Sequence, residues 1–200
     1  VGLRDILTGR HQVKGPAPER LFAITTAYVD LQAEHGIEPT GSAAIVFQAL
    51  ATSEFESTLK DMEEVVTATG GDSGTTVSTQ DDSYGYRWML LHNPPGAPSV
   101  EDLAVGINAV SSSIETAGFG ERILCAVFAF EDRARGSAGR RRLYFIYNYK
   151  RGYWYPFAPV AGDAQERSTE RELQLKAQVG AELPLEPEIE RWFPLWGIPI

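Results

Sequence analysis

Few side chains in this sequence are of a type that does chemistry, and they lie far apart. The tetrapeptide GDSG at 71–74 matches the nucleophile loop of serine proteases over four residues. That chemistry needs an imidazole bonded to the serine hydroxyl and a carboxylate that orients the imidazole. The histidines are His11, His35 and His92, each beside a linker or at the end of an element, and none carries a supporting motif. A Gly/Asp/Ser turn leaving a helix accounts for the tetrapeptide. The single cysteine, Cys125, sits in the apolar run ILCAVFAF. A nucleophilic thiolate needs an electropositive, accessible setting, so this one reads as buried and inert. No CxxC, HxxxH or E-x-x-H spacing offers a metal site, and neither GxGxxG nor GxxxxGK[ST] is present to cradle a phosphate. Asp81 and Asp82 fall where a hairpin turn wants Asp. Glu54, Glu56, Asp61, Glu63 and Glu64 read as the wet side of a helix.

The remaining concentration of functional types is basic and aromatic. Arg133, Arg135, Arg140, Arg141, Arg142, Lys150 and Arg151 hold seven of the chain's 18 basic residues. The stretch KRGYWYPFAPVAG (150–162) follows directly. Arg151-Gly152-Tyr153 begins like an RNA-recognition strand, but Trp154 and Pro156 stand at its small-residue and valine positions. Proline cannot donate to a central ladder, so the stretch is not a mid-sheet stacking strand. It reads as a corner, with Pro156 and Pro159 fixing an extended exit and the rings packed beside Trp192 and Trp196. The functional alternative is a partner patch of Arg140, Arg141, Arg142, Tyr149, Lys150, Arg151, Tyr153, Trp154 and Tyr155, since tyrosine, tryptophan and arginine are enriched in interfaces.

The elements that must position these residues follow from apolar spacing. Leu21, Ile24, Tyr28 and Leu31 predict a helix over 20–35, ended by Gly36. GSAAIVFQAL (41–50) predicts a buried strand. Ser53 with Glu56 predicts a capping box opening a helix with Phe55, Leu59, Met62 and Val66 on one stripe. TTVSTQ (75–80) and YGYRWMLLH (84–92) predict a hairpin. Ser99 predicts the cap of a helix striped by Val100, Leu103, Ile107, Val110 and Ile114, stopped by GFG at 118–120. RILCAVFAFED (122–132) and RRLYFIYNYK (141–150) are apolar on both faces and belong mid-sheet. A last helix covers about 166–182, and the tail LPLEPEIERWFPLWGIPI is too apolar to be left undocked. The expectation is α+β: a mainly antiparallel five-stranded sheet, helices on one face, order α-β-α-β-β-α-β-β-α with a split βαβ core. Residues 1–18 form an N-terminal amphipathic segment and linker, and 19–200 a single domain with a docked tail.

Composition narrows the function classes. With 200 residues, 43% hydrophobic and 22% charged, the chain needs no disulfide or metal for its core. One cysteine, no apolar leader and no run of about 18 apolar residues predict a cytoplasmic protein without a membrane span. A net charge of −9 argues against nucleic acid. Leu3, Ile6 and Leu7, with Arg4 and Arg10, allow weak membrane-surface contact through 1–10, peripheral to the inner face.

Several ordered blocks resemble a known family: GLRDILTGR, PTGSAAIVF, DSYGYRWMLL, GFG followed by ILCAVFAF, YKRGYWYPFAP and LPLEPEIERWFPLWG. The chain is similar, nearly end to end, to the PspA-associated protein PspAB family, linked to the bacterial phage-shock response to membrane stress. Val1 stands where an initiator methionine would be. The resemblance implies a cytoplasmic protein associated with PspA, a membrane-remodelling coiled-coil protein, and implies no catalytic activity or cofactor. Two readings follow. The first is a non-catalytic interaction or regulatory protein whose partner is a PspA-like coiled coil, alongside a second copy of the chain as a homodimer. The second is a small-molecule-binding or enzymatic domain with an aromatic-lined pocket.

Overall fold

The computed structural model describes residues 18–69, 73–133, 141–160 and 165–200. The predicted anchor at 1–10, Gly71 and Asp72 of GDSG, and Arg135 and Arg140 lie outside them. A single helical turn, Pro18–Phe22, leads into α1 (Ile24–His35), which ends on Gly36 in the left-handed region (φ 65°). Then come β1 (Ile37–Gln48), α2 (Ser53–Thr69), β2 (Thr76–Asp81), β3 (Tyr86–His92), α3 (Val100–Thr116), β4 (Ile123–Asp132), β5 (Arg141–Asn148), β6 (Tyr153–Phe157) and α4 (Thr169–Val179). None of the described helices is long and apolar enough to cross a membrane.

The six strands form one antiparallel sheet in the order β2-β3-β1-β4-β5-β6. The first four, with α2 and α3 as connections, make the expected split βαβ unit. β5 and β6 extend it as a meander.

The expected count of five strands is corrected to six. Tyr153–Phe157 is a strand, not an extended exit, and its Pro156 pairs with Phe145. Proline is tolerated there because β6 is the last strand of the sheet. β1 also begins four residues earlier than expected. The chain bulges between Pro39 and Ser42 and stays paired with β4 on both sides. The cap of α2 is Thr52 rather than Ser53: its hydroxyl accepts from the Phe55 N–H at 3.3 Å. Ser99 caps α3 as expected, accepting from the Asp102 N–H at 3.1 Å.

Side-chain alternation assigns two faces to the sheet. Ala43, Ile45, Phe47, Met89, Leu91, Ala126, Phe128, Phe130, Leu143, Phe145, Tyr147 and Trp154 point to the side where all four helices pack. Contact there is close. A Cβ on Gly106 of α3 would come within 2.4 Å of the buried Leu91 side chain. Ala44, Val46, Trp88, Leu90, Cys125, Val127, Ala129, Tyr144, Ile146, Tyr155 and Phe157 point the other way. None of the described helices covers them. The C-terminal segment does, through buried Trp192 and half-buried Leu195, Trp196, Ile198 and Ile200.

That segment is tied down along its length. Residues 184–186 extend the sheet past β6: Trp154 N–H donates to the Pro184 carbonyl at 2.9 Å, and Glu186 N–H to the Trp154 carbonyl at 2.8 Å. Tyr155 and Tyr144 hydroxyls donate to the Phe193 and Ile200 carbonyls, both at 3.1 Å. Arg167 donates to the Trp192 carbonyl at 2.6 Å and to Glu172, which is 1% exposed and also accepts from the Ala158 N–H. Replacing Trp192 with alanine removes the largest apolar group of this layer. The expected loss in a urea titration is roughly 3–5 kcal/mol, the usual cost of truncating a buried aromatic. A loss under about 1 kcal/mol would show that the tail contributes little.

Candidate functional site

The expected partner patch divides into three parts. Arg141 and Arg142 open β5 at one end of the sheet, and both are exposed. Tyr149, Lys150, Arg151 and Tyr153 stand at the other end, in and beside the turn to β6. The eight residues of β5 put Arg141 and Asn148 roughly 23 Å apart. Trp154 and Tyr155 lie between the two ends and are buried on opposite faces of β6. Closeness in sequence thus hid a separation in space.

The far end is committed to structure. Tyr149 is buried and meets Tyr147 edge to face with ring centres 5.1 Å apart. Burial pushes the Tyr147 phenol up to about 12 and raises that of Tyr149 as well. Trp154 Nε1 donates to the Arg20 carbonyl at 2.6 Å, and the Arg20 guanidinium sits 5.0 Å from the centre of the Tyr153 ring. Arg151 pairs with Glu186, a carboxylate only 2% exposed. Of this group only Lys150 is exposed.

The near end differs. Every other described arginine has a bound partner: Arg20 with Gly152, Arg87 with Asp81 and Glu56, Arg122 with Gln48, and Arg133 with Glu38. Arg151, Arg167, Arg171 and Arg191 pair with Glu186, Glu172, Asp132 and Glu188. Arg141 and Arg142 have no hydrogen bond or ion pair among the described residues. Beside them lies a concavity of about 260 Å³, lined also by Asp132, Leu143, Ala158, Pro159, Val160, Ser168 and Arg171. None of the described residues that line it is aromatic. The strand ends position Asp132 and Arg141, which face each other across β4 and β5. The Ser168 hydroxyl caps α4 by accepting from the Arg171 N–H at 3.3 Å, which sets Arg171 over Asp132.

The other reactive types are placed elsewhere. His35 ends α1, and His11 is outside the described residues. Ser42 and His92 are paired residues of β1 and β3, and the hydroxyl and Nδ1 share a hydrogen bond of 2.9 Å. Sequence spacing could not reveal this, because only the strand register brings the two together. Around them lie Asn93, Thr75 and Ser73, joined by hydrogen bonds of their own. Cys125 is buried, and desolvation pushes its thiol up to about 12. Asp82 holds the β2–β3 turn, accepting from the Tyr84 and Tyr86 N–H groups and from Trp88 Nε1. No cluster of three metal-ligating side chains occurs among the described residues.

One comparison decides the family. The family model of PspA associated protein B, PspAB, matches residues 1–200. The chain belongs to the PspA associated protein B family. Its description names association with PspA and no reaction. No curated protein and no solved structure matches the chain.

The Arg151–Glu186 pair carries a pH signature. The guanidinium holds the Glu186 carboxyl below the ordinary glutamate range, helped by the Glu188 N–H. A lowered folded-state pKa contributes stability that is complete above the unfolded value, near 4.3, and is lost as pH falls through the folded one. Urea midpoints measured from pH 7 to pH 3 should therefore drop more steeply below about pH 4.3 in the wild type than in Glu186→Gln. Parallel profiles would show that this carboxylate is not stabilised by folding.

Proposed function

We propose that this chain is a non-catalytic interaction protein that binds PspA in the bacterial membrane-stress response, through the exposed basic corner at the start of β5. One observation carries the reading. Arg141 and Arg142 have no partner among the described residues, in a protein that otherwise ties its described arginines to acids or carbonyl oxygens. Two exposed guanidinium groups on consecutive residues at a strand end, in a chain of net charge −9, create a local positive field that an acidic surface would meet. Membership of the PspA associated family supports PspA as the bearer of that surface.

Several described side chains of reactive type have structural partners, which supports this reading. Cys125 is an apolar core residue, Ser42 is bonded across strands to His92, and Asp82 organises a turn. The aromatic residues that suggested a pocket instead pack against one another, as Phe128 with Trp154 and Phe157 with Trp196 do at ring separations of 5.6 and 5.2 Å. The same reading places the protein in the cytoplasm, meeting the membrane through its partner.

The test is a calorimetric titration of PspA into the wild type and into Arg141→Glu/Arg142→Glu. Both positions are exposed, so the melting temperature should stay within a few degrees of the wild type. Charge reversal should weaken binding at least tenfold at physiological ionic strength, and the wild-type affinity should fall as salt is raised. Equal binding by both proteins would remove the basic corner from the interface. No binding by the wild type would remove the interaction itself.

A further inference from the structure

We infer that the concavity beside Arg141 is a carboxylate-binding site that takes an acidic group carried on a short aliphatic stem. This deepens the interaction reading and rests on it only for the source of the carboxylate.

The charge balance of the site favours an anion. Its described lining holds Arg141, Arg142 and Arg171 against Asp132 alone. Asp132 does not cancel the set, because it is already bound: Arg171 Nε donates to its Oδ2 at 2.7 Å. Arg171 Nη1 donates to Gln174 at 3.2 Å, which leaves Nη2 without a partner among the described residues. Arg141 donates to none of the described residues, and it faces the same side of the sheet as Asp132 and Arg171. Two guanidinium groups at one cavity, each with N–H bonds that no described residue accepts, match the planar oxygens of a carboxylate.

Shape and charge narrow the ligand further. The walls away from the arginines are Leu143, Ala158, Pro159 and Val160, so the body of the ligand is apolar. A volume of about 260 Å³ lies below the range of roughly 300–1,000 Å³ usual for drug-sized ligands. It suits a stem of a few carbons. The fixed negative charge of Asp132 disfavours a dianion, which selects a singly charged carboxylate over a phosphate. A glutamate side chain of a protein partner and a free short-chain acid both meet this description.

The experiment titrates valerate into the full chain and follows backbone amide shifts by NMR, with valeramide and inorganic phosphate in parallel. Saturable shifts at Leu143, Ala158 and Arg171 with valerate, and none with valeramide, are expected. Arg141→Gln should weaken valerate roughly fivefold, the scale of an exposed charge contact, while Lys150→Gln at the opposite end of β5 leaves it unchanged. Phosphate binding more tightly than valerate, no saturable shift at these residues, or indifference to Arg141→Gln would overturn the inference. A second arm adds PspA to the valerate-saturated protein. Competition assigns the carboxylate to the partner, and simultaneous binding assigns it to a free acid; either result keeps the site. If PspA binding requires Arg141 and Arg142 but valerate does not bind, the interaction reading stands and the carboxylate site falls. If valerate binds and PspA does not, the reverse holds.

Discussion

A sheet that is apolar on both faces must be covered on both faces, and the described helices all pack on one. β4 shows the demand most plainly. Ala126, Phe128 and Phe130 meet the helices, while Cys125, Val127 and Ala129 on the same strand need another cover. The C-terminal segment supplies it without forming a helix or a full strand. Its apolar contribution is large on the scale of the fold. Five sizeable side chains, one fully buried and four half-buried, are worth about 8 kcal/mol by transfer, close to the whole net stability of an ordinary domain.

An irregular segment lying on a sheet faces a second difficulty, because its buried backbone groups need partners. Here the partners come from fixed points. β6 supplies a ladder at 184–186, Tyr144 and Tyr155 reach carbonyl oxygens from the sheet, and Arg167 links the Trp192 carbonyl to buried Glu172. Glu186, 2% exposed, is tied by Arg151 on the other flank. Two ion pairs thus bracket Trp192. Four prolines in the segment, Pro184, Pro187, Pro194 and Pro199, restrict the unfolded chain and reduce the entropy lost on docking. The same arrangement explains why Arg151 is no part of the proposed interface although it belongs to the same basic run as Arg142.

Much of this architecture was legible in the sequence because it is written in local spacing. The stripes of α2 and α3, the Ser99 cap, the two-faced β4 and β5 and the docking of the tail all follow from residues close to one another. β6 was not legible, because Pro156 signals against a strand and only its position at the sheet margin permits it. The cap of α2 was misplaced by one residue because Thr52 and Ser53 offer the same hydroxyl. The candidate site was half legible. Arg141 and Arg142 stood out as a cluster, but their separation from Lys150 and Arg151 depends on the direction of a strand. Arg171 joins Asp132 only through an ion pair that reaches from α4 to the end of β4, for which the sequence carries no local signal.

The central claim is that the C-terminal segment is an integral layer of the core. The direct measurement is thermal unfolding with dye binding on the chain ended at Leu183. The account predicts loss of a cooperative transition and strong binding of a hydrophobic dye at room temperature, from an uncovered sheet face. A cooperative melt near that of the full chain, with no dye bound, would contradict it.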